Sequence, residues 1–149
     1  MKNIEKVNDL LDTQKIRSWR ALFNAFKFLS AEFESSLLEL GCSVPRFQIL
    51  LHLHTTGPHT PVTLSRLLKV SRANVTTFLK RLQEDKLIKP TLENGSEKRP
   101  AYELTKTGIK FFEEVLPAHT GKVEKIMTPF PEEFIKILEK VPESLSNNS

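Results

Sequence analysis

The sequence predicts a mainly α chain carrying one small β-hairpin, and three observations lead there. Apolar residues recur every three or four positions through most of the chain, first over Thr13–Leu40 and last over Phe134–Val141. Two short apolar stripes meet at a tight break around Ser71. Directly after them stand two short extended runs separated by Asn94-Gly95.

From Thr13 to Leu40 the stripe Ile16, Trp19, Leu22, Phe23, Phe26, Leu29, Phe33, Leu37 and Leu40 predicts one long helix, broadened by Phe28 and Leu38 and ended by Gly41. At 1.5 Å per residue it would run about 40 Å, too long for so small a core to cover. Part of its apolar surface is therefore expected against a second subunit. Pro45 suits the first turn of the next helix, whose Phe47, Ile49, Leu50, Leu51 and Leu53 mark it as largely buried. Residues 55–61, with Gly57-Pro58 and Pro61, read as a loop, and Thr63 is placed to cap the helix that follows.

That helix carries Leu64, Leu67 and Leu68 on one stripe. Ser71 then offers a hydroxyl to the free amides of a second helix with its own stripe, Val75, Phe78, Leu79 and Leu82. Two such helices covering a common core make a helix-turn-helix. At about 100° per residue, Ala73, Asn74, Thr76, Thr77, Lys80 and Arg81 lie outside the stripe. That face is small and hydrogen-bonding near its start and cationic further along, which suits a major groove. A plain solvated helix face would also place basic residues there.

Leu87–Leu92 and Pro100–Leu104 read as two short strands joined at Asn94-Gly95, the residue pair that favours a hairpin turn with positive φ at both central positions. Pro90 and Pro100 lack amide donors, so both strands should be edge-like there. The tip carries Lys98 and Arg99, and a basic hairpin directly after a helix-turn-helix is a wing suited to a minor groove. After Gly108 a helix is expected through Ile109, Phe111, Phe112, Val115 and Leu116 to Val123, Ile126 and Met127, kinked or split at Pro117. Pro131 should start a last helix with Phe134, Ile135, Ile137, Leu138 and Val141 apolar, before a polar tail, 144–149, expected to be disordered.

These residues resemble the multiple-antibiotic-resistance-regulator (MarR) family of bacterial winged helix-turn-helix transcription regulators. The resemblance rests on the helix pair, on Glu97-Lys98-Arg99, and on Leu104-Thr105-Lys106-Thr107-Gly108 closing the wing and opening the next helix. Arg99 and Leu104-Thr105 keep the family's spacing; Glu97 stands where the family usually has aspartate, and Thr77 where many members have arginine. The resemblance implies one domain over residues 1–149. Within it 45–108 would bind DNA, while 1–40 and 109–143 interlock across a two-fold axis as a homodimer. It also implies a small phenolic or amphipathic ligand held between dimer scaffold and winged helix, for which Trp19, Phe23, Phe47 and His52 are the candidate lining.

Composition agrees with a polyanion partner. Residues 62–110 hold eleven Lys or Arg against five acids, a net +6, whereas the remainder is −2 and the whole chain +4. No run approaches the ~18 apolar residues of a membrane span, and residues 1–11 lack the apolar core of a secretory signal, so a cytoplasmic protein is expected. The single cysteine, Cys42, cannot form an intrachain disulfide. It could serve as an oxidant sensor, although in the oxidant-sensing members of the resembled family the cysteine lies in the first helix. His52, His54, His59 and His119 show no ligand-type spacing, so neither a metal nor another cofactor is expected. There is also no phosphate loop, nucleophile elbow or paired acid, and an enzyme is not expected.

The function expected is a homodimeric, sequence-specific regulator of double-stranded DNA, acting as a repressor on a pseudo-palindromic operator. Asn74, Thr76 and Thr77 are the candidates for base edges; Ser65, Ser71, Arg72, Lys80 and Arg81 for phosphates; Lys98 and Arg99 for minor grooves. The alternatives are a winged helix that binds an acidic protein partner and an oxidant-sensing regulator acting through Cys42.

Overall fold

The computed structural model describes residues 2–146, with side chains from 4 to 142. Its order is α1 (Lys2–Leu11), α2 (Gln14–Glu39), α3 (Val44–Thr56), α4 (Pro61–Leu68), α5 (Arg72–Glu84), β1 (Ile88–Thr91), β2 (Ala101–Leu104), α6 (Lys106–Met127) and α7 (Glu132–Ser146). None of these helices is long and apolar enough to cross a membrane.

The core sits where α3, α4, α5, the hairpin and α6 converge. Ile49 and Leu50 of α3, Leu64 of α4, Val75, Leu79 and Leu82 of α5, Ile88 of β1 and Phe112 of α6 are all buried, in agreement with the predicted stripes. Leu67 is 44% exposed, so the α4 stripe rests on Leu64 and the half-buried Leu68. α2 contributes only Leu37 to the buried set. Along the rest of α2, Trp19, Phe26 and Phe28 are 60%, 65% and 68% exposed, and Ile16, Leu22 and Phe23 are exposed as well. Each such side chain forgoes roughly 1.5–3 kcal/mol of burial. Six on one helix make a solvent-facing role costly.

Several local predictions change. Residues 2–11, expected within the helical outer part but given no helix of their own, form α1, whose Ile4, Val7, Leu10 and Leu11 fall on one exposed stripe. α4 begins at Pro61 and its cap is Thr60, whose hydroxyl accepts the Thr63 amide at 3.3 Å; Thr63 itself lies inside the first turn. α6 begins at Lys106, not after Gly108, and runs through Pro117 without splitting. α7 reaches Ser146, so 144–146 continue a helix where a disordered tail was expected; 147–149 lie outside the described residues.

The hairpin differs most. β1 and β2 pair antiparallel from Ile88 opposite Leu104 to Thr91 opposite Ala101, and residues 92–100 join them as an irregular loop. Asn94 has a positive φ of 59°, but Gly95 does not. Gly95 is needed for closeness instead, since a Cβ there would fall 2.9 Å from the Arg99 carbonyl oxygen and closer still to the Ala101 nitrogen. Tyr102 is bridged on its other side by His59, with reciprocal amide bonds of 3.2 and 2.9 Å, which makes the hairpin the larger part of a three-segment sheet. β1 is thus an edge strand, as Pro90 requires.

One residue ties these pieces together. The Thr105 amide donates to the Leu87 carbonyl at 3.0 Å, and its hydroxyl donates to the Lys86 carbonyl at 2.6 Å while accepting the Gly108 amide at 3.0 Å. A Cβ on Gly108 would lie 2.8 Å from the Leu87 carbonyl carbon and nearer still to its oxygen. Gly108→Ala should therefore lower the unfolding free energy by roughly 2–3 kcal/mol, since backbone cannot yield as a side-chain tip can. An unchanged urea midpoint would show that the start of α6 is not pressed against Leu87.

Cys42, between α2 and α3, is 1% exposed, and burial pushes its thiol up from 9.0 to about 11 despite the Arg46 guanidinium, which acts the other way. An oxidant sensor needs an accessible thiolate, and Cys42 is neither accessible nor ionised. The oxidant-sensing alternative is thereby corrected. Because the folded chain keeps a proton that the unfolded chain releases, this group stabilises the fold below pH 9.0 and loses that effect as pH rises toward about 11. Native protein at pH 8 should resist iodoacetamide, whereas urea-unfolded chain is alkylated readily; rapid alkylation without denaturant would contradict the burial.

Candidate nucleic-acid interface

α4 and α5 are joined through Lys69, Val70 and Ser71. Lys69 takes the left-handed conformation that ends α4, and the Ser65 hydroxyl donates to the Val70 carbonyl at 2.7 Å, closing the turn. Ser71 then caps α5, its oxygen accepting the Asn74 amide at 3.2 Å. The far end of α5 is fixed by an ion pair from Arg46 of α3 to Asp85, its C-cap. With the helix held at both ends and Val75, Leu79 and Leu82 buried, its other face is presented to solvent as a rigid surface. Ser71, Arg72, Ala73, Asn74, Thr76, Thr77, Lys80 and Arg81 are all exposed there.

The wing brings further cations to the same side. Arg72 from the start of α5 and Lys98 and Arg99 from the wing line one cleft of about 530 Å³, together with Thr60, Pro61 and Tyr102. The sequence placed Arg72 and the Lys98-Arg99 pair in separate elements, and the fold gathers them. Lys80 leans toward Glu84 at 3.9 Å, whereas Arg72, Arg81, Lys98 and Arg99 have no acidic partner among the described residues. Unpaired cations on an exposed surface repel one another, and an anion relieves that repulsion.

Not every candidate keeps the part expected of it. A serine must donate a proton to hold a phosphate, and the proton of Ser65 is already given to Val70. Glu97, in the place of the family's orienting aspartate, makes no ion pair with Arg99 among the described residues. The tip is held instead by Ser96, whose backbone exchanges bonds of 2.9 and 3.0 Å with Arg99 and whose hydroxyl accepts the Arg99 amide at 3.1 Å. The wing is tied back by Asn94, which donates to the Pro58 carbonyl at 3.1 Å. Sequence reasoning missed Ser96 and the positioning bond of Asn94, because both act through backbone groups that no spacing rule identifies.

The four candidates for a ligand pocket are not gathered in one place. Trp19 and Phe23 stack on the exposed face of α2 with centroids 5.8 Å apart, Phe47 is buried in the core, and His52 is half-buried on α3. Of the four, Phe47 alone lines a described cleft, about 430 Å³ between α3 and α6, with Leu51, Leu116, His119, Val123 and Glu124. His119 stands 4.6 Å from Phe47 between ring centroids, and burial lowers its pKa, so it stays neutral near pH 7. His54 instead pairs with Glu113 at 3.6 Å and His59 contacts the Thr56 hydroxyl at 2.7 Å. No three His, Cys, Asp or Glu side chains among the described residues are grouped as metal ligands.

Comparison with known proteins bears on the fold that carries this surface. The MarR family model matches residues 42–91, the segment from Cys42 through α5 to β1. The HTH-type transcriptional repressor YetL of Bacillus subtilis is 26% identical over 142 residues, spanning 91% of this chain and 85% of the relative. Among solved structures, the MarR family regulator AbsC of Streptomyces coelicolor superposes with a TM-score of 0.80 at 17% identity, covering 91% of this chain and 95% of that one. The organohalide-sensing regulator RdhR-CbdbA1625, solved ligand-free and with 2,4-dichlorophenol bound, gives a TM-score of 0.74 at 22% identity over 92% of this chain and 82% of its own. The chain is thus similar to the MarR family over residues 42–91, and its fold is the winged helix-turn-helix of the regulators on which it superposes.

Proposed function

We propose that the protein is a homodimeric repressor that occludes a promoter by occupying a pseudo-palindromic operator and is released by a small amphipathic ligand. The observation that carries this is the convergence of Arg72, Lys98 and Arg99 on one cleft beside the exposed face of α5. Groups suited to base edges and groups suited to phosphates then share one side of the molecule. In this reading 45–108 bind DNA: Asn74, Thr76 and Thr77 meet base edges, Ser71, Arg72, Lys80 and Arg81 meet phosphates, and Lys98 and Arg99 enter the minor groove.

Residues 1–40 and 109–143 pair the two copies. The support is the apolar surface that one chain leaves uncovered on α1, α2 and α7, including a groove of about 440 Å³ lined by Leu22, Phe130, Phe134, Ile137, Leu138 and Val141. Two-fold symmetry would set the two α5 helices on successive major grooves. The repressor role is supported by the name of the YetL relative, and a phenolic ligand by the complex of RdhR-CbdbA1625. The α3–α6 cleft at Phe47 and His119 is the ligand site this reading favours, since it lies between the winged unit and the helices outside it. A ligand there acts only by binding one spacing of the two reading heads better than the other. Such a regulator works in the cytoplasm, where a bacterial chromosome lies.

Selection of duplexes from a random pool by the full-length protein, followed by fluorescence anisotropy across a salt series, tests the reading. The selected duplex should bind ~10³-fold more tightly than random DNA of equal length. Arg99→Ala should weaken binding to both duplexes and lower the salt slope by about 1. Equal binding to both would contradict a regulator and favour a non-specific basic surface.

A further inference from the structure

Thr76 and Thr77 occupy the middle of the exposed face of α5, with Ala73 one turn before them and Lys80 one turn after. Neither hydroxyl has a proton free. Thr76 donates to the Arg72 carbonyl at 2.9 Å and Thr77 to the Ala73 carbonyl at 3.1 Å. This bonding to the preceding turn fixes each side chain's rotamer. What each threonine turns outward is an oxygen with lone pairs and a methyl group. Together with Ala73, the centre of the face is three methyl groups and two acceptors. The donors lie at its margins, on Asn74, Arg72, Lys80 and Arg81.

Base pairs differ in what they offer to such a surface. In the major groove adenine presents an N6 amine donor and thymine a methyl group, whereas guanine presents only the acceptors N7 and O6. Cytosine has an amine donor but no methyl, and its donor lies beside the guanine O6. Of the four standard bases, only an adenine–thymine pair answers the acceptors and the methyl groups together. A guanine in the same place would set acceptor against acceptor in a contact from which water is expelled, leaving both unsatisfied.

We infer that Thr76 and Thr77 make α5 select adenine–thymine pairs at the centre of each half-site, the hydroxyl oxygens accepting from adenine N6 and the methyl groups packing on thymine. This rests on α5 being the recognition helix. The thymine contact has a corollary. Replacing thymine with deoxyuridine removes the methyl while leaving every hydrogen-bonding group of the base in place, so it should weaken binding by itself.

The duplex selected by the full-length protein from a random pool supplies the test, with missing-nucleoside interference, which reports on every base, marking the pairs beneath α5. Those pairs should be adenine–thymine. Thr77→Val keeps the branched shape and loses the oxygen, so its preference for adenine at one position should fall about tenfold. Thr77→Ser keeps the oxygen and should retain that preference, while becoming indifferent to deoxyuridine at the paired position. With wild-type protein deoxyuridine should weaken binding a few-fold, a result that does not depend on any variant folding. Guanine–cytosine pairs beneath Thr76 and Thr77, or a Thr77→Val variant that discriminates as wild type does, would overturn the inference while leaving α5 as the reading helix. No enriched duplex at all would overturn the recognition-helix reading and the inference with it.

Discussion

The arrangement depends on one junction, where Thr105 meets the backbone of Lys86 and Leu87. Four elements end or begin within a few residues of it: α5 stops at Glu84, β1 starts at Ile88, β2 stops at Leu104 and α6 starts at Lys106. The Thr105 amide and hydroxyl satisfy two carbonyls on the chain leaving α5, and the same hydroxyl caps α6 through the Gly108 amide. A cap of this kind contributes about 1 kcal/mol to a helix. Its larger effect here is geometric. It fixes the direction of the wing relative to α5, and of both relative to α6, so that Arg72 and Arg99 face one cleft.

From that junction the molecule divides into two chemistries. The winged unit is covered on its inner side by its own core and carries its charge outward. The outer helices do the reverse, burying little and exposing apolar side chains along α1, α2 and α7. A basic surface without neutralising acids is stable in water and attractive to a polyanion; an apolar surface without cover is neither solvated well nor repelled by its own kind. On the proposed reading the first meets DNA and the second meets another copy. Within the winged unit, Arg46 reaches from the first turn of α3 to Asp85 at the end of α5 and holds the reading helix against its own core.

Much of this was legible in the sequence. The stripe Val75, Leu79 and Leu82, the Ser71 cap and the end of α2 near Gly41 follow from local periodicity and capping chemistry, and the structure repeats them. The charge concentration in residues 62–110 needed only counting. What was not legible depended on distant backbone. Asn94-Gly95 signalled a tight turn, but the neighbouring Ser96 and Arg99 close their own turn and lengthen the loop. The bridge between His59 and Tyr102 pairs residues far apart in sequence, where no periodicity could reveal it. Gly108 looked like a helix boundary, and its reason is the Leu87 backbone pressed against it. For the candidate site, helical periodicity gave which residues of α5 face solvent, while the commitment of the Ser65, Thr76 and Thr77 protons to carbonyls could be seen only in three dimensions.

Footprinting with measured stoichiometry decides whether two copies read one duplex through paired α5 helices. Sedimentation of the complex with the selected duplex should give two chains per duplex. Hydroxyl-radical footprinting should show two protected regions on one face of the DNA, with centres about one helical turn, ~10 base pairs, apart. One chain on a duplex, or a single protected region without two-fold symmetry, would contradict paired reading by two copies.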